Sequence, residues 1–393
     1  MIFITGLRRV GKTTSLFQLI DWLIRDKHIA PEAILYYSFD EARYDLEQIF
    51  NFYQSHILQD EIQQFERIYV FLDEIQKLPA WPDKVKMFYD MHPNIKMILS
   101  GSANLVMKAG SRESLAGRFF DYTMTPLDFP EFLTFRGVEV DPDHEIVFQQ
   151  TITREFQRFL KTGGFIEAIT YDDLLLINYF KDSILERVAY RDIPDIYSIS
   201  VPDLLIRLLN IFAQWPGMYL DYKNLANDLQ FDQRTITNYL NYLEYSYLVQ
   251  KLYNFSTNLL TSEKKLKRAY LSNTGFTNAL ANRFDLPVLL EQFWINFLKS
   301  KYFFRSPHKD EVDLVLVEGR SVLPIEIKIR ESITAKMVGS LFKFLSRFKV
   351  KRGLLISKQT DKEFNRNDQS VRVLPYWRYW SILKHIDELT KDK

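Results

Sequence analysis

The chain reads as an α/β protein of several folding units, and three observations predict this. A short strand at the amino terminus runs into a glycine-bracketed loop and an amphipathic helix. Two further apolar strand runs follow, one ending in carboxylates and one in hydroxyls. Far downstream lies a strand pair that carries charge at alternating positions. At 393 residues the chain exceeds what one hydrophobic core usually organises, so separate units are expected.

Composition narrows the class. Hydrophobic residues make up 47% and charged residues 26%, an ordinary globular balance that argues against disorder or a fibrous design. Lys plus Arg total 51 against 50 Asp plus Glu, so any affinity for nucleic acid must come from local patches. The absence of cysteine excludes disulfides, zinc-thiolate sites and cysteine nucleophiles, and suits a reducing compartment. No apolar run approaches the roughly 20 residues needed to cross a bilayer, so a cytoplasmic protein is expected. Aromatics reach 15%, which points first to bulky cores.

Met1 to Thr5 is a β-branched and aromatic strand, followed by Gly6-Leu7-Arg8-Arg9-Val10-Gly11-Lys12-Thr13-Thr14 and a helix through about Arg25. This is a GxxxxGK[ST] phosphate loop in the strand–loop–helix context it requires. Gly6 and Gly11 allow the tight turn that aims backbone N–H groups at phosphates, and the helix amino terminus adds favourable dipole charge. Lys12 reaches the β- and γ-phosphates, and Thr13, with Thr14 beside it, offers hydroxyls, Thr13 to Mg²⁺. A buried-strand run, Ile68 to Leu72, then ends in Asp73 and Glu74. Asp73 is placed to hold the magnesium shell, and Glu74, one residue past the strand, to polarise an attacking water as general base. Ile95 to Leu99 forms another strand whose end carries Ser100 and Ser102, candidate sensors of the γ-phosphate or ordinary turn hydroxyls. ATP and Mg²⁺ are therefore the expected ligands.

The strings TGLRRVGKTT, VFLDEIQKLPAW, ILSGSAN, SLAGRFFDYTMTPLDFPEF, GGFIEAI and RDIPDIYSI together resemble a prokaryotic AAA-type ATPase family, frequent in archaea, along nearly the whole chain. Members carry a carboxy-terminal domain of uncertain role. The resemblance implies a nucleotide-proximal arginine at Arg118, with Arg112 a weaker neighbour, acting as a finger within the chain or across a subunit boundary. Related chains usually have some tens of residues ahead of the first strand, whereas here it begins at Met1. The phosphate side of the pocket is thus expected to be complete, and the adenine side is not.

Beyond about residue 135 helices dominate, interrupted at Pro142, Gly163-Gly164 and Pro194, and are expected to form a lid or linker. From Val201 the pattern becomes helix, helix, turn, helix and then strands. Leu225, Leu229, Ile236, Leu240 and Leu243 supply the apolar spacing of a helix-turn-helix core, and Leu248 to Leu252 start a wing hairpin. The second helix is expected to expose Arg234, Thr235, Asn238 and Asn241. That is little charge for a DNA-reading helix, so the run Lys264-Lys265-Leu266-Lys267-Arg268 is the candidate source of phosphate contacts. A connector or protein-binding role stands beside the DNA reading.

Near the carboxy terminus a helix carrying Glu291 precedes the strands Glu311–Val317 and Val322–Lys328. Asp313, Glu326 and Lys328 match the D…ExK pattern of PD-(D/E)XK nucleases. Period-two alternation puts Glu326 and Lys328 on one strand face, and hairpin pairing brings Asp313 beside them. Two carboxylates there would bind Mg²⁺ or Mn²⁺, with Lys328 steadying developing charge and Glu291 completing the shell. A solvated sheet face or a binding platform would use the same residues without cutting.

The expected organisation is thus a P-loop AAA-type core over 1–135, a helical lid over 136–200, a winged-helix module over 201–271 and a restriction-endonuclease-like α/β domain over 272–393. Expected partners are ATP, DNA and further copies of the chain.

Overall fold

The computed structural model describes residues 1–40, 44–101, 117–258, 260, 262, 266–281 and 283–391. Two compact units emerge, Met1–Pro126 with Tyr245–Tyr247, and Leu127–Glu244 with Leu248–Lys393. Ser102, Arg112, Lys264 and Lys265 lie outside the described residues.

In the first unit, β1 (Ile2–Gly6) leads into α1 (Lys12–Arg25). Then come β2 (Ile34–Ser38), α2 (Leu46–Phe52), β3 (Ile68–Asp73), α3 (Trp81–Met91), β4 (Ile95–Ser100) and β5 (Phe120–Met124). All strand pairs are parallel, in the order β2-β3-β4-β1-β5. Alternation along each strand explains the layering. Phe3, Val70, Leu72, Met97 and Leu99 face a cluster with Trp81 and Val85 of α3. Ile4, Phe71 and Ile98 face Leu16 and Leu23 of α1 on the other side. Such a sheet, covered on both faces, needs near-continuous apolar strands, and it places a ligand at the carboxyl ends of the strands.

The second unit opens with α4 (Phe129–Phe135), α5 (Gln149–Thr162), α6 (Asp173–Asn178), α7 (Ile193–Ile196) and α8 (Asp203–Gln214). The residues read as a lid do not stand apart from this unit. Ile152, Phe156, Phe159 and Leu160 of α5 share a core with Trp294, Tyr376 and Tyr379.

Next come β6 (Met218–Tyr219), α9 (Tyr222–Leu229), α10 (Gln233–Tyr245), β7 (Val249–Asn254), β8 (Lys267–Leu271) and α11 (Thr274–Ala281). They are followed by α12 (Leu286–Phe297), β9 (Tyr302–Arg305), β10 (Glu311–Glu318), β11 (Ser321–Lys328), α13 (Gly339–Phe348) and β12 (Arg352–Ser357). The unit closes with β13 (Lys362–Arg366), β14 (Gln369–Pro375) and α14 (Tyr379–Lys391).

A single nine-stranded sheet, ordered β13-β14-β12-β11-β10-β9-β7-β8-β6, runs through this unit. β7 pairs antiparallel with β8 and parallel with β9, so the sheet continues without a break across position 271. Its outer strand β13 carries Lys362, Glu363 and Arg366, charges that discourage edge-to-edge pairing.

Candidate functional site

At the end of β1, Gly6 adopts φ +146°, and a Cβ there would lie 2.3 Å from the Met124 carbonyl oxygen. Only glycine lets the chain pass so close to β5 and then turn. Arg9 (φ 64°) and Gly11 (φ 95°) complete the loop before α1 begins at Lys12. The Lys12 side chain is buried, and its Nζ donates to the carbonyls of Gly6 at 3.2 Å and Leu7 at 2.8 Å. A cation fixed by its own loop is placed where phosphate oxygens meet the backbone N–H groups. Thr14 is exposed on the first turn of α1.

Substitution of Gly6 tests this cradle. Alanine at Gly6 is expected to strain the loop by about 1–3 kcal/mol and to weaken ATP-analogue binding by roughly ten-fold or more. Wild-type affinity in a fluorescence titration would show that the loop tolerates a Cβ.

Asp73 is nearly fully buried at the end of β3. The Thr13 hydroxyl donates to its Oδ2 at 2.6 Å, and the Tyr36 hydroxyl reaches the same oxygen at 3.4 Å. Thr13 and Asp73, sixty positions apart in sequence, thus present a hydroxyl and a carboxylate oxygen to one point, a donor set that fits a hard divalent ion completing its shell with water and phosphate. Mg²⁺ held there would neutralise phosphoryl charge.

Glu74 follows in the left-handed region (φ 50°). Burial pushes its carboxyl above the usual range, and Asp73 adds to this, while Lys12, the Gln76 amide and Arg8 oppose it. Gln76 Nε2 donates to Glu74 Oε2. Ser100 lies opposite Ile4 on β4, fully buried, and its hydroxyl has no partner among the described residues.

Arg118 is placed otherwise than expected for a finger within the chain. Its guanidinium binds Asp90 of α3 at 3.0 and 3.2 Å, and its carbonyl accepts the Met1 amine at 2.9 Å. It therefore sits at the amino ends of the strands, the length of β1 away from the phosphate loop. Parallel pairing of β1 with β5 dictates this, because the start of β5 must lie beside the start of β1.

The parallel sheet order, the phosphate loop and the Thr13–Asp73 pair define a P-loop nucleoside triphosphatase domain. Residues 1–133 match the family described as AAA domain, and the amino-terminal unit is an AAA-type, ATP-binding ATPase domain. Residues 153–286 match a domain of unknown function (DUF8612), and residues 290–379 match another (DUF4143). Similar curated proteins include the uncharacterized protein MJ1544 of Methanocaldococcus jannaschii, 26% identical over 96% of this chain and 87% of its own length. The uncharacterized protein MJ1637 of the same organism is 26% identical over 93% of this chain and 82% of its own. Among solved structures, the Aeropyrum pernix ORC1 protein in complex with DNA is 13% identical, covering 72% of this chain and 86% of that one at a TM-score of 0.32, too loose an overlap to carry an argument. Among the described residues no helix is long and apolar enough to cross a membrane.

A second constellation occupies the middle of the large sheet. Leu314 pairs with Ile325, so Asp313 on β10 falls beside Glu326 on β11. Asp313 Oδ2 accepts from the Ile327 N–H at 2.7 Å. Lys328 Nζ binds Glu326 Oε1 at 2.6 Å and the Met337 carbonyl at 2.9 Å, and the Ser340 hydroxyl reaches Glu326 Oε2 at 3.4 Å. Glu291 accepts from the Tyr270 hydroxyl at 2.5 Å and lies 3.6 Å from Arg268. Burial, followed by the charges of Glu291 and Glu326, holds the Asp313 carboxyl well above its ordinary range. Glu326 is likewise raised by burial, against the pull of Lys328. The side chains named from the sequence come together here, yet among the described residues no three acidic or histidine side chains form a cage for a metal ion. Each carboxylate instead meets a protein donor.

Arg268 plays a part that its sequence context hid. Instead of offering a phosphate contact at the surface, it turns inward, donating from Nε to the Gly217 carbonyl at 2.9 Å and lying over the rings of Tyr219 and Phe303. Its spacing of two from Tyr270 on one strand was the available signal, since period two puts both on the same face.

The helix expected to contact DNA, α10, also differs from expectation. Arg234 is exposed, but the Thr235 hydroxyl bonds Asp232 at 2.5 Å, and Asn241 accepts from Lys251 at 2.7 Å. Asn238 is half-buried. Two of the four expected contact residues are therefore engaged within the fold, which leaves the helix still poorer in free polar groups than its sequence suggested.

Proposed function

We propose that the protein is a Mg²⁺-dependent ATPase whose turnover is coupled to nucleic-acid binding or processing by its second unit. The observation that carries the ATPase half is the Thr13–Asp73 pair beside Lys12, with Glu74 next in line. Glu74 takes a proton from water as the oxygen attacks the γ-phosphorus, Lys12 holds the phosphates, and Ser100 senses the γ-phosphate from the end of β4. Arg118 would serve only a neighbouring copy.

Two arrangements support the nucleic-acid half. The order α8, β6, α9, α10, β7, β8, with β6 and β7 flanking β8 antiparallel, resembles that of a winged helix. The order α12, β9, β10, β11, α13, β12, with Asp313 beside Glu326 and Lys328, resembles a restriction-endonuclease core. A second reading is favoured by the protein donors that already meet each carboxylate, namely a binding platform without cutting.

ATP turnover measured with and without DNA tests the coupling, and stimulation is expected. With Mg²⁺ or Mn²⁺ the wild type is expected to nick DNA, and Asp313→Ala or Glu326→Ala to abolish nicking while leaving ATP hydrolysis within about two-fold, since distant sites act independently. DNA binding without any nicking would transfer the carboxylate site to the platform reading.

A further inference from the structure

We propose that Gln76 is a water-positioning residue for ATP hydrolysis, holding Glu74 through its amide N–H and accepting a hydrogen of the attacking water through its amide oxygen. This rests on the reading of Glu74 as general base.

The geometry begins with the backbone. β3 ends at Asp73, Glu74 takes a left-handed turn, and Ile75–Lys77 wind into a short 3₁₀ helix closed by the Lys77 N–H on the Glu74 carbonyl at 3.0 Å. That reversal carries the Gln76 side chain back over Glu74, and Gln76 Nε2 donates to Glu74 Oε2. A carboxylate can only accept, so the contact fixes which way the amide faces. Nitrogen points to Glu74, and oxygen points away.

That oxygen, Gln76 Oε1, is buried, and no donor among the described residues reaches it. Buried acceptors in folded proteins are almost always paired, with water serving where the protein does not. Here the unpaired acceptor lies beside a carboxylate at the carboxyl end of β3, where a parallel sheet binds its ligand. Glu74 Oε1 and Gln76 Oε1, the oxygens on either side of the amide–carboxylate contact, are the acceptors that one water molecule would bridge. Glu74 Oε1 takes one hydrogen and Gln76 Oε1 the other, which leaves the oxygen lone pair directed at the γ-phosphorus. As the new P–O bond forms, Glu74 receives the proton. The bond from the γ-phosphorus to the β–γ bridging oxygen breaks, and its electron pair leaves with ADP. A glutamine that orients the lytic water is a known device of phosphoryl-transfer sites, and here the fold offers one two residues beyond the base.

The experiment uses the full chain with Gln76→Leu, Glu74→Gln and the double variant. Steady-state ATP turnover is measured beside the binding of a non-hydrolysable ATP analogue with Mg²⁺. Gln76→Leu is expected to lower kcat by about 10- to 100-fold, the range of an acid–base partner, and to leave KM and analogue affinity within about three-fold, the pattern of an interaction made only in the transition state. In the Glu74→Gln background the same change is expected to cost less than about two-fold, because residues acting as a unit are not additive. Wild-type kcat in Gln76→Leu, or an equal cost in both backgrounds, overturns the proposal. Should Gln76→Leu fail to fold, Gln76→Glu keeps size and polarity but cannot hold Glu74; slow turnover supports the role and wild-type turnover ends it. If Glu74→Gln itself turns over like the wild type, the base assignment falls, whereas a slow Glu74→Gln with a fast Gln76→Leu removes Gln76 alone.

Discussion

Replacing Lys12 with alanine is expected to remove ATP turnover by about 100-fold or more, the scale on which a preorganised donor to developing phosphoryl charge acts. The ammonium is held by the carbonyls of Gly6 and Leu7 at the loop, so the charge is already stationed there when nucleotide arrives. Alanine removes the charge and the two bonds that brace the loop, and nucleotide affinity should fall with the rate. Glu74→Gln is expected to behave differently. It keeps the size of the side chain and leaves the Lys12 cradle and the Thr13–Asp73 pair in place, so binding should persist. Hydrolysis should drop by about 10²- to 10⁴-fold, the contribution of a positioned base. Equilibrium binding of labelled ATP beside single-turnover hydrolysis separates the two effects. Wild-type hydrolysis in Glu74→Gln would assign the base elsewhere.

The second large effect concerns stability. Arg268→Met is expected to destabilise the second unit by about 3 kcal/mol, because deleting one partner of a buried ion pair strands the other charge. Arg268 is mostly enclosed, 13% exposed, and lies 3.6 Å from Glu291, whose side chain is 24% exposed. Its charge also favours the ionised form of Asp313. With Arg268 gone, Asp313 would keep the unfavourable charges of Glu291 and Glu326 and lose a favourable one. The mechanism carries a sharper consequence: Arg268→Met together with Glu291→Gln should recover most of the loss, since removing both charges is often nearly neutral. Urea unfolding followed by tryptophan fluorescence reads both variants, given that Trp294 and Trp377 lie in the core of this unit. Equal stability of the single and double variants would show that Arg268 acts through its packing on Tyr219 and Phe303, and not through charge.

The phosphate loop, the strand ending in Asp73 and the D…ExK hairpin were legible from the chain alone. Each is a local pattern. A strand, a glycine turn and a helix start within a dozen residues, or two strands joined by a tight turn, bring their side chains together whatever the rest of the fold does. The apolar alternation of β1, β3 and β4 likewise implied a sheet covered on both faces.

What the sequence could not show was how charged groups choose partners across long separations. Arg118 follows a segment that suggested a nucleotide contact, yet parallel pairing of β5 with β1 carries it to the far end of the sheet and onto Asp90. Arg268 stands in a basic run read as a source of phosphate contacts, yet antiparallel pairing of β8 with β7 and β6 turns it inward toward Glu291. Asn241 looked exposed on its helix until Lys251 of the neighbouring strand reached it. In each case the side chain's identity was plain and its direction was not, because a charge or amide pairs with whatever the strand register brings within about 4 Å. Register is set by the packing of apolar faces over the whole sheet, and so the tertiary structure alone decided which of these polar groups serve a site and which hold the fold together.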